Sequence, residues 1–393
     1  MSRRWVPWVA VLTVALAACG TPSPAAAPST TVSTVTTTVT TAVTKAVPTT
    51  LAATTTTTAT TTTTTRPKPA PAGNPAGTAV VPAEAGPEDV RRPTTVIGTG
   101  TPAGCTSQAV VAAVAAGGVI TFDCGPEPVT ITMATTAKVR NDGPREVVVD
   151  GGGLVTLSGG GRRRILYQNT CDAALGITTA HCQDQDHPRL SLQNLTLADG
   201  DATGDAVEGG GGGAVFVRGG RVKVVDSRFR GNRCDQSGPD LGGAALRVLG
   251  QHGGHPVYVT GSTFSGGVCA NGGAVSSIGV SWVILNSVLS GNSAVGRGAN
   301  PARAGTPGGG SGGAVYVDGN RFTLRIAGSV VEDNRASEGG GAVFFVSNDR
   351  SGTMSVESSS LRRNPSAGFE TPGYPGIFFL GAVNPTVSGS TIQ

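Results

Sequence analysis

From Val119 onward, short apolar runs alternate with breaks marked by glycine, asparagine or aspartate, and no run is longer than a strand. A Gly-Gly-Ala step recurs at Gly212, Gly242, Gly272, Gly312 and Gly340, with spacings of 30, 30, 40 and 28 residues. A second element lies between the steps: Ser227-x-Phe229-x-x-Asn232, Ser262-x-Phe264-x-x-Gly267, Ser287-x-Leu289-x-x-Asn292, Ser329-x-Val331-x-x-Asn334 and Ser359-x-Leu361-x-x-Asn364. Each unit therefore reads as a glycine-led strand, a turn, a second strand and an asparagine turn, with no room for a long helix.

Stacking such units in register would pair each strand with its equivalent one coil later, about 4.8 Å away. The large apolar residues would then lie above one another, and the asparagines could form a ladder of side-chain amides. Glycine suits the corners because it tolerates φ > 0. The insertion Gly296 to Gly309 falls at a turn and leaves the coil intact. Upstream, Val119 to Gly125, Val147 to Gly153 and Leu190 to Gly200 read as earlier, less regular coils. Ser107 to Ala116 predicts a short helix, with Ser107 as N-cap and Gly117 as stop, placed to cover the open first coil.

Gly-Gly-Ala-(Val/Ile) alternating with Phe-x-x-Asn resembles the repeats of chlamydial polymorphic outer membrane proteins. More broadly, residues 103–393 are similar to pectin-lyase-like proteins. The resemblance implies an all-β fold, a right-handed parallel β-helix (solenoid) with a short N-terminal capping helix, preceded by a disordered stalk. It says little about activity, because such solenoids serve lyases, hydrolases and adhesins alike.

The first 19 residues change the picture. Arg3 and Arg4 precede an apolar stretch, Trp5 to Leu16, too short to span a bilayer. Leu16-Ala17-Ala18-Cys19 then resembles a bacterial lipobox. Residues 1–18 are predicted to be a lipoprotein signal peptide and Cys19 to carry the lipid, since two or more acyl chains give stable anchoring. The implied partner is membrane lipid and the implied place the extracytoplasmic face of the cell membrane. Ser2-Arg3-Arg4 only faintly resembles a twin-arginine signal, because Pro7 breaks the apolar stretch. Residues 19–102, rich in Thr, Pro and Ala, are predicted to be a disordered linker, with Thr at every position but Ala59 from Thr54 to Thr65. An inert tether is the preferred reading over an O-glycosylated stalk.

Composition narrows the functions. Sixty residues of 393 are Gly, charged residues make up 14% and the net charge is only +4. Only four of the 29 basic residues are Lys, and no basic stripe interleaves with aromatics, so a nucleic-acid partner is not expected. Seven cysteines less Cys19 leave six, an even number for an oxidising compartment. Six allow fifteen pairings; the favoured set is Cys105–Cys124, Cys171–Cys182 and Cys234–Cys269, the last because both follow the asparagine-turn position in consecutive repeats. A zinc site lacks any Cys-x-x-Cys spacing.

Candidate chemistry is sparse. Asp199, Asp201 and Asp205 with Gly204 match the start of a calcium loop, but position 12 is Gly210 and the acid Glu208 stands at position 10. A solvated connector is the preferred reading, and no cofactor other than weakly supported Ca²⁺ is expected. Asp150 before three glycines reads as a turn residue, Gln251 to His255 as a turn insert, and Arg162-Arg163-Arg164 as a solvated turn that could meet an anionic sugar. The lyase and polygalacturonase motifs are missing. Phe216, Leu246, Ser276, Tyr316 and Phe344 form one column, either a core stack or an outward sugar-stacking stripe, with Val215, Ala245, Val275, Val315 and Val343 beside it. Trp282 is the only tryptophan beyond the signal. The leading expectation is a non-catalytic surface β-helix for adhesion or for binding envelope or extracellular glycans. The rivals are a polysaccharide lyase or glycoside hydrolase, which would place three or more acidic or Arg side chains outward on neighbouring coils, and a structural spacer or assembly module. The final unit stops at Gln393 before an asparagine turn, so the sequence implies either a fragment or a partner covering that end.

Overall fold

The computed structural model describes residues 71–205 and 210–393. The signal peptide, Cys19, the linker up to residue 70 and Glu208 lie outside these residues. Within them the fold is all-β, with long parallel sheets of 17, 8 and 3 strands and one α-helix, consistent with a parallel β-helix.

Each regular coil has the same path. In one, Arg221–Val225 leads through a corner at Asp226 to Arg228–Arg230, then through Gly231 and a connecting segment to Val215's equivalent in the next coil, Leu246–Leu249. The first two strands belong to the 17-stranded sheet, the last to the 8-stranded sheet. Left-handed backbone marks all the corners. Asn194, Asp226, Gly261, Asn286, Gly328 and Ser358 have φ between 45° and 60° at the first corner. Asn and Asp are tolerated there because their short polar side chains bond locally.

Two side-chain ladders lock the corners. Each serine amide donates to the serine hydroxyl of the next coil, from Ser227 through Ser262, Ser287, Ser329 and Ser359 to Ser390, at 3.0–3.1 Å. The amides of Asn292 and Asn334 donate to Oδ1 of Asn334 and Asn364 at 2.9 and 3.1 Å. Their Nδ2 groups donate to the same oxygens and to the carbonyls of Phe264 and Leu289. These buried turn groups are thereby satisfied without water. The ladder skips Gly267, where a Cβ would strike the Gly273 carbonyl, and the Cys234–Cys269 disulfide joins the same two coils just beyond.

Inside, the columns are apolar. Leu166, Val215, Leu246, Val275, Val315, Val343 and Ile377 stack in register, all at most 1% exposed. Phe229 and Phe264 stack with ring centroids 4.5 Å apart. Each such side chain contributes about 1.5–3 kcal/mol on burial. Trp282 also points inward, fully buried, and donates Nε1–H to Ser277 Oγ at 2.8 Å. It is a core residue.

Three sequence expectations need correction. The 242–244 step is one residue out of register, because Gly242 pairs with Asn271, the residue before the next step, so that the step runs Gly243-Ala244-Ala245: Gly243 takes the positive φ of 73°, and Leu246, not Ala245, aligns with Val215. Arg247 therefore replaces Leu246 in the neighbouring column. The helix Ser107–Ala116 does cap the first coils, burying Val110, Ala113 and Val114, but its N-cap is Thr106, whose hydroxyl accepts from the Ala109 amide at 3.2 Å. Ser107 lies inside the helix and accepts from Ala134 N instead. The folded body also starts before Ala103. Thr95–Ile97 pairs with the strand Gly118–Phe122, and residues 73–88 lie as a strap across the outside of the 17-stranded sheet. Apart from the Asn74 amide, which donates to the Asn286 carbonyl at 2.8 Å, those residues bond to the sheet through side chains, a mode that leaves no periodic apolar face to read.

Candidate functional site

The strap is held at two points by primary amides of the sheet. Asn286 accepts from Ala79 N through Oδ1 and donates to Ala79 O through Nδ2, both at 2.9 Å. Gln193 makes the same double contact with Glu88, at 2.8 and 3.1 Å. Gln193 is in turn positioned by Asp150, which accepts from its Nε2 at 2.7 Å, from Asn194 and from the Gly152 amide. Asp150 is therefore not the turn residue expected: it lies within the strand Glu146–Ser158, just before its bulge, and aims Gln193. Between the grips Ala85 packs, fully buried, on Leu285 and Ala327, both of which point outward from the coil.

Near its C-terminal end the strap borders a cleft of about 490 Å³ against the sheet. This is within the roughly 300–1,000 Å³ of small-ligand sites. Ala83, Glu84 and Glu88 form one wall; the floor includes Glu146, Arg189, Arg221, Lys223 and Tyr258, with His255 at the side of Tyr258. The floor is built by register. Glu146, Arg189 and Arg221 are direct neighbours on three successive strands, as are Ser191, Lys223 and Tyr258. Alternation along a strand sends these residues outward while Leu190, Val222 and Val257 enter the core.

Opposite charges meet throughout the cleft. Lys223 Nζ lies 2.7 Å from Glu88 and donates to the carbonyls of Gly86 and Glu84 at 2.7 and 3.2 Å. Arg189 contacts Glu146 at 3.2 Å. Behind the floor, Asp186 receives Arg145, Arg189 and Arg221 at 2.5, 2.5 and 2.7 Å. Burial alone would raise the Asp186 carboxyl, but hydrogen bonds from Arg189 and Arg145 and the charge of Arg221 hold it well below the usual carboxylate range. Asp186 sits at the end of the loop closed by the Cys171–Cys182 disulfide. Tyr258 donates its hydroxyl to Glu84, and burial, reinforced by that carboxylate, pushes the phenol up to about 12. At neutral pH Tyr258 is therefore a hydrogen-bond donor rather than a base.

The sequence-predicted residues are distributed differently. The cysteines form Cys105–Cys124, Cys171–Cys182 and Cys234–Cys269. The calcium candidates diverge: Asp205 pairs with Arg164 at 2.5 Å, Asp201 accepts from the Thr203 amide, and Asp199 forms a corner with φ 52°. Among the described residues no group of three or more His, Cys, Asp or Glu is arranged to hold a metal. Arg162 is exposed, whereas Arg164 is only 4% exposed and lies over the Tyr167 and Phe216 rings, so the triplet is not one solvated turn. His252 packs at Asp184, and His255 reaches the cleft.

The outward column of the 8-stranded sheet is Tyr167, Phe216, Arg247, Ser276, Tyr316, Phe344 and Phe378. It is neither of the expected alternatives. The side chains point outward, yet Phe216 and Tyr316 are fully buried and Phe344 is 2% exposed. Leu175 of the disulfide loop packs with Phe216, and Asn300 of the 296–309 insertion donates to the Tyr316 hydroxyl at 2.6 Å. Sequence reasoning missed the cleft residues. The signal for the covering strap was Val283, Leu285 and Ala327, outward positions too apolar for an open face.

No known family model, no curated protein and no solved structure matches this chain.

Proposed function

We propose that this chain is a lipid-anchored surface protein whose parallel β-helix binds envelope or extracellular saccharide in the strap cleft. Right-handed winding accords with the general handedness of parallel crossovers. The observation that carries the reading is the cleft itself: a concave space of ligand size, lined by hydrogen-bonding side chains from successive coils and from the strap. Tyr258 offers both ring and hydroxyl, which suits sugar faces and hydroxyls. Anchoring rests on the lipobox ending at Cys19. A glycan array with the full-length protein tests the binding; a blank array, repeated with soluble envelope polysaccharide, defeats it. Metabolic labelling with a radioactive fatty acid should be lost in Cys19→Ser.

A second reading has specific support. Glu146, Arg189, Arg221 and Lys223 project outward on three neighbouring coils, as a lyase or hydrolase would require. Against it, the Arg189 and Arg221 guanidiniums already hold Asp186, and Tyr258 is poorly suited to abstract a proton. Polysaccharide cleavage that survives stringent purification, assayed with and without calcium, would replace binding by catalysis.

A further inference from the structure

We infer that the strap cleft recognises a saccharide carrying both an ammonium and a carboxylate group, in preference to a uniformly acidic, uniformly basic or neutral sugar. The inference rests on the saccharide reading of the cleft and adds the charge character of the ligand.

The cleft contains equal numbers of Arg or Lys cations and of carboxylates, unevenly placed. Arg189, Arg221 and Lys223 rise from the sheet floor; Glu84 and Glu88 hang from the strap; Glu146 is the one acid in the floor, beside Arg189. The Lys223–Glu88 pair crosses from floor to wall. Arg221 gives one Nη to Asp186 and keeps its side chain 30% exposed at the cleft. A guanidinium offers a planar fork that matches a carboxylate. The strap carboxylates offer the complementary acceptors for an ammonium. A sugar bearing only acid groups would have to enter against Glu84, Glu88 and Glu146. A sugar bearing only amino groups would face Arg189, Arg221 and Lys223. A ligand with both charges can satisfy both partners of the Lys223–Glu88 and Arg189–Glu146 pairs as it enters, whereas a ligand with one charge leaves the like-charged partner unpaired and repelling it.

The test is calorimetric titration of the full-length protein in detergent at pH 7 and low salt with four probes: muramic acid (both charges), glucuronic acid, glucosamine and glucose. Muramic acid should bind at least about tenfold more tightly than each of the others. Arg221→Gln should weaken muramic acid and glucuronic acid and spare glucosamine; Glu88→Gln should weaken muramic acid and glucosamine and spare glucuronic acid. Thermal melts confirm that both variants stay folded. If glucuronic acid, glucosamine or glucose equals or exceeds muramic acid, the charge inference is overturned while the saccharide reading stands. If none of the four binds and the glycan array is also blank, the saccharide reading itself fails, and the inference with it.

Discussion

The outer faces of the two long parallel sheets are covered by different means. On the 8-stranded sheet, the disulfide loop and the 296–309 insertion close over an aromatic column until Phe216 and Tyr316 are as buried as the core. On the 17-stranded sheet, the strap seals Leu285 and Ala327, is tied to Lys223 and Tyr258 by hydrogen bonds, and borders an open polar cleft. The first cover is made of ring contacts, with Tyr316–Phe344 and Phe344–Phe378 centroids 5.0 and 5.3 Å apart. The second relies on amide hydrogen bonds to a segment of backbone. One face is spent on stability and the other retains room for a ligand.

This contrast can be broken most severely at the aromatic column. Phe216→Ala should cost about 3–5 kcal/mol in denaturant unfolding, a core-sized loss for an outward-facing residue. A cost below about 1 kcal/mol would mean that the loops do not pack on it in solution. Asn334→Ala should come next, at about 2 kcal/mol, because it leaves the Asn292 amide and the Leu289 carbonyl buried without their partner. Lys223→Met should cost about 1 kcal/mol or less in global stability. Its larger effect should be local, as faster proteolysis within residues 82–88; equal protection in mutant and parent would show that Lys223 does not hold the strap.

The smallest effect concerns acid. The Asp186 carboxyl titrates lower in the folded protein than in the unfolded chain. Its contribution to stability is therefore complete above the unfolded pKa of about 4 and is lost as pH falls below that value toward the folded one. Melting temperature should be insensitive to this group between about pH 5 and 8, and Asp186→Asn should flatten the decline below about pH 4. An unchanged acid slope in the variant would remove Asp186 from the account.

Much of the scaffold was legible in the sequence because its parts repeat. The Ser and Asn positions recur with the coils, and their ladders need one residue type at one corner. Register failed at the 242 step, where Ala244 stands in place of the second glycine and Gly242, the residue before the step, imitates its first. The strap was illegible for another reason. Gly73 to Glu88 has the Pro- and Ala-rich composition of the segment before it, and its grips come from single residues, Asn286 and Gln193, more than a hundred positions away. The aromatic column was half legible: strand parity could not choose a face, and the cover comes from loops whose packing no period encodes.

The direction of the strap has a mechanical consequence. The described chain joins the body beside Gly261, Asn286 and Gly328, in the middle of the coil stack, and then runs back toward the helix-capped end. A pull applied on the N-terminal side loads the Asn74 and Ala79 contacts first and the Glu88 contact later, so the bonds part in succession rather than together. In single-molecule extension the strap should unzip at low force while the coils stay intact, acting as an internal slack that lengthens before the folded body bears the load.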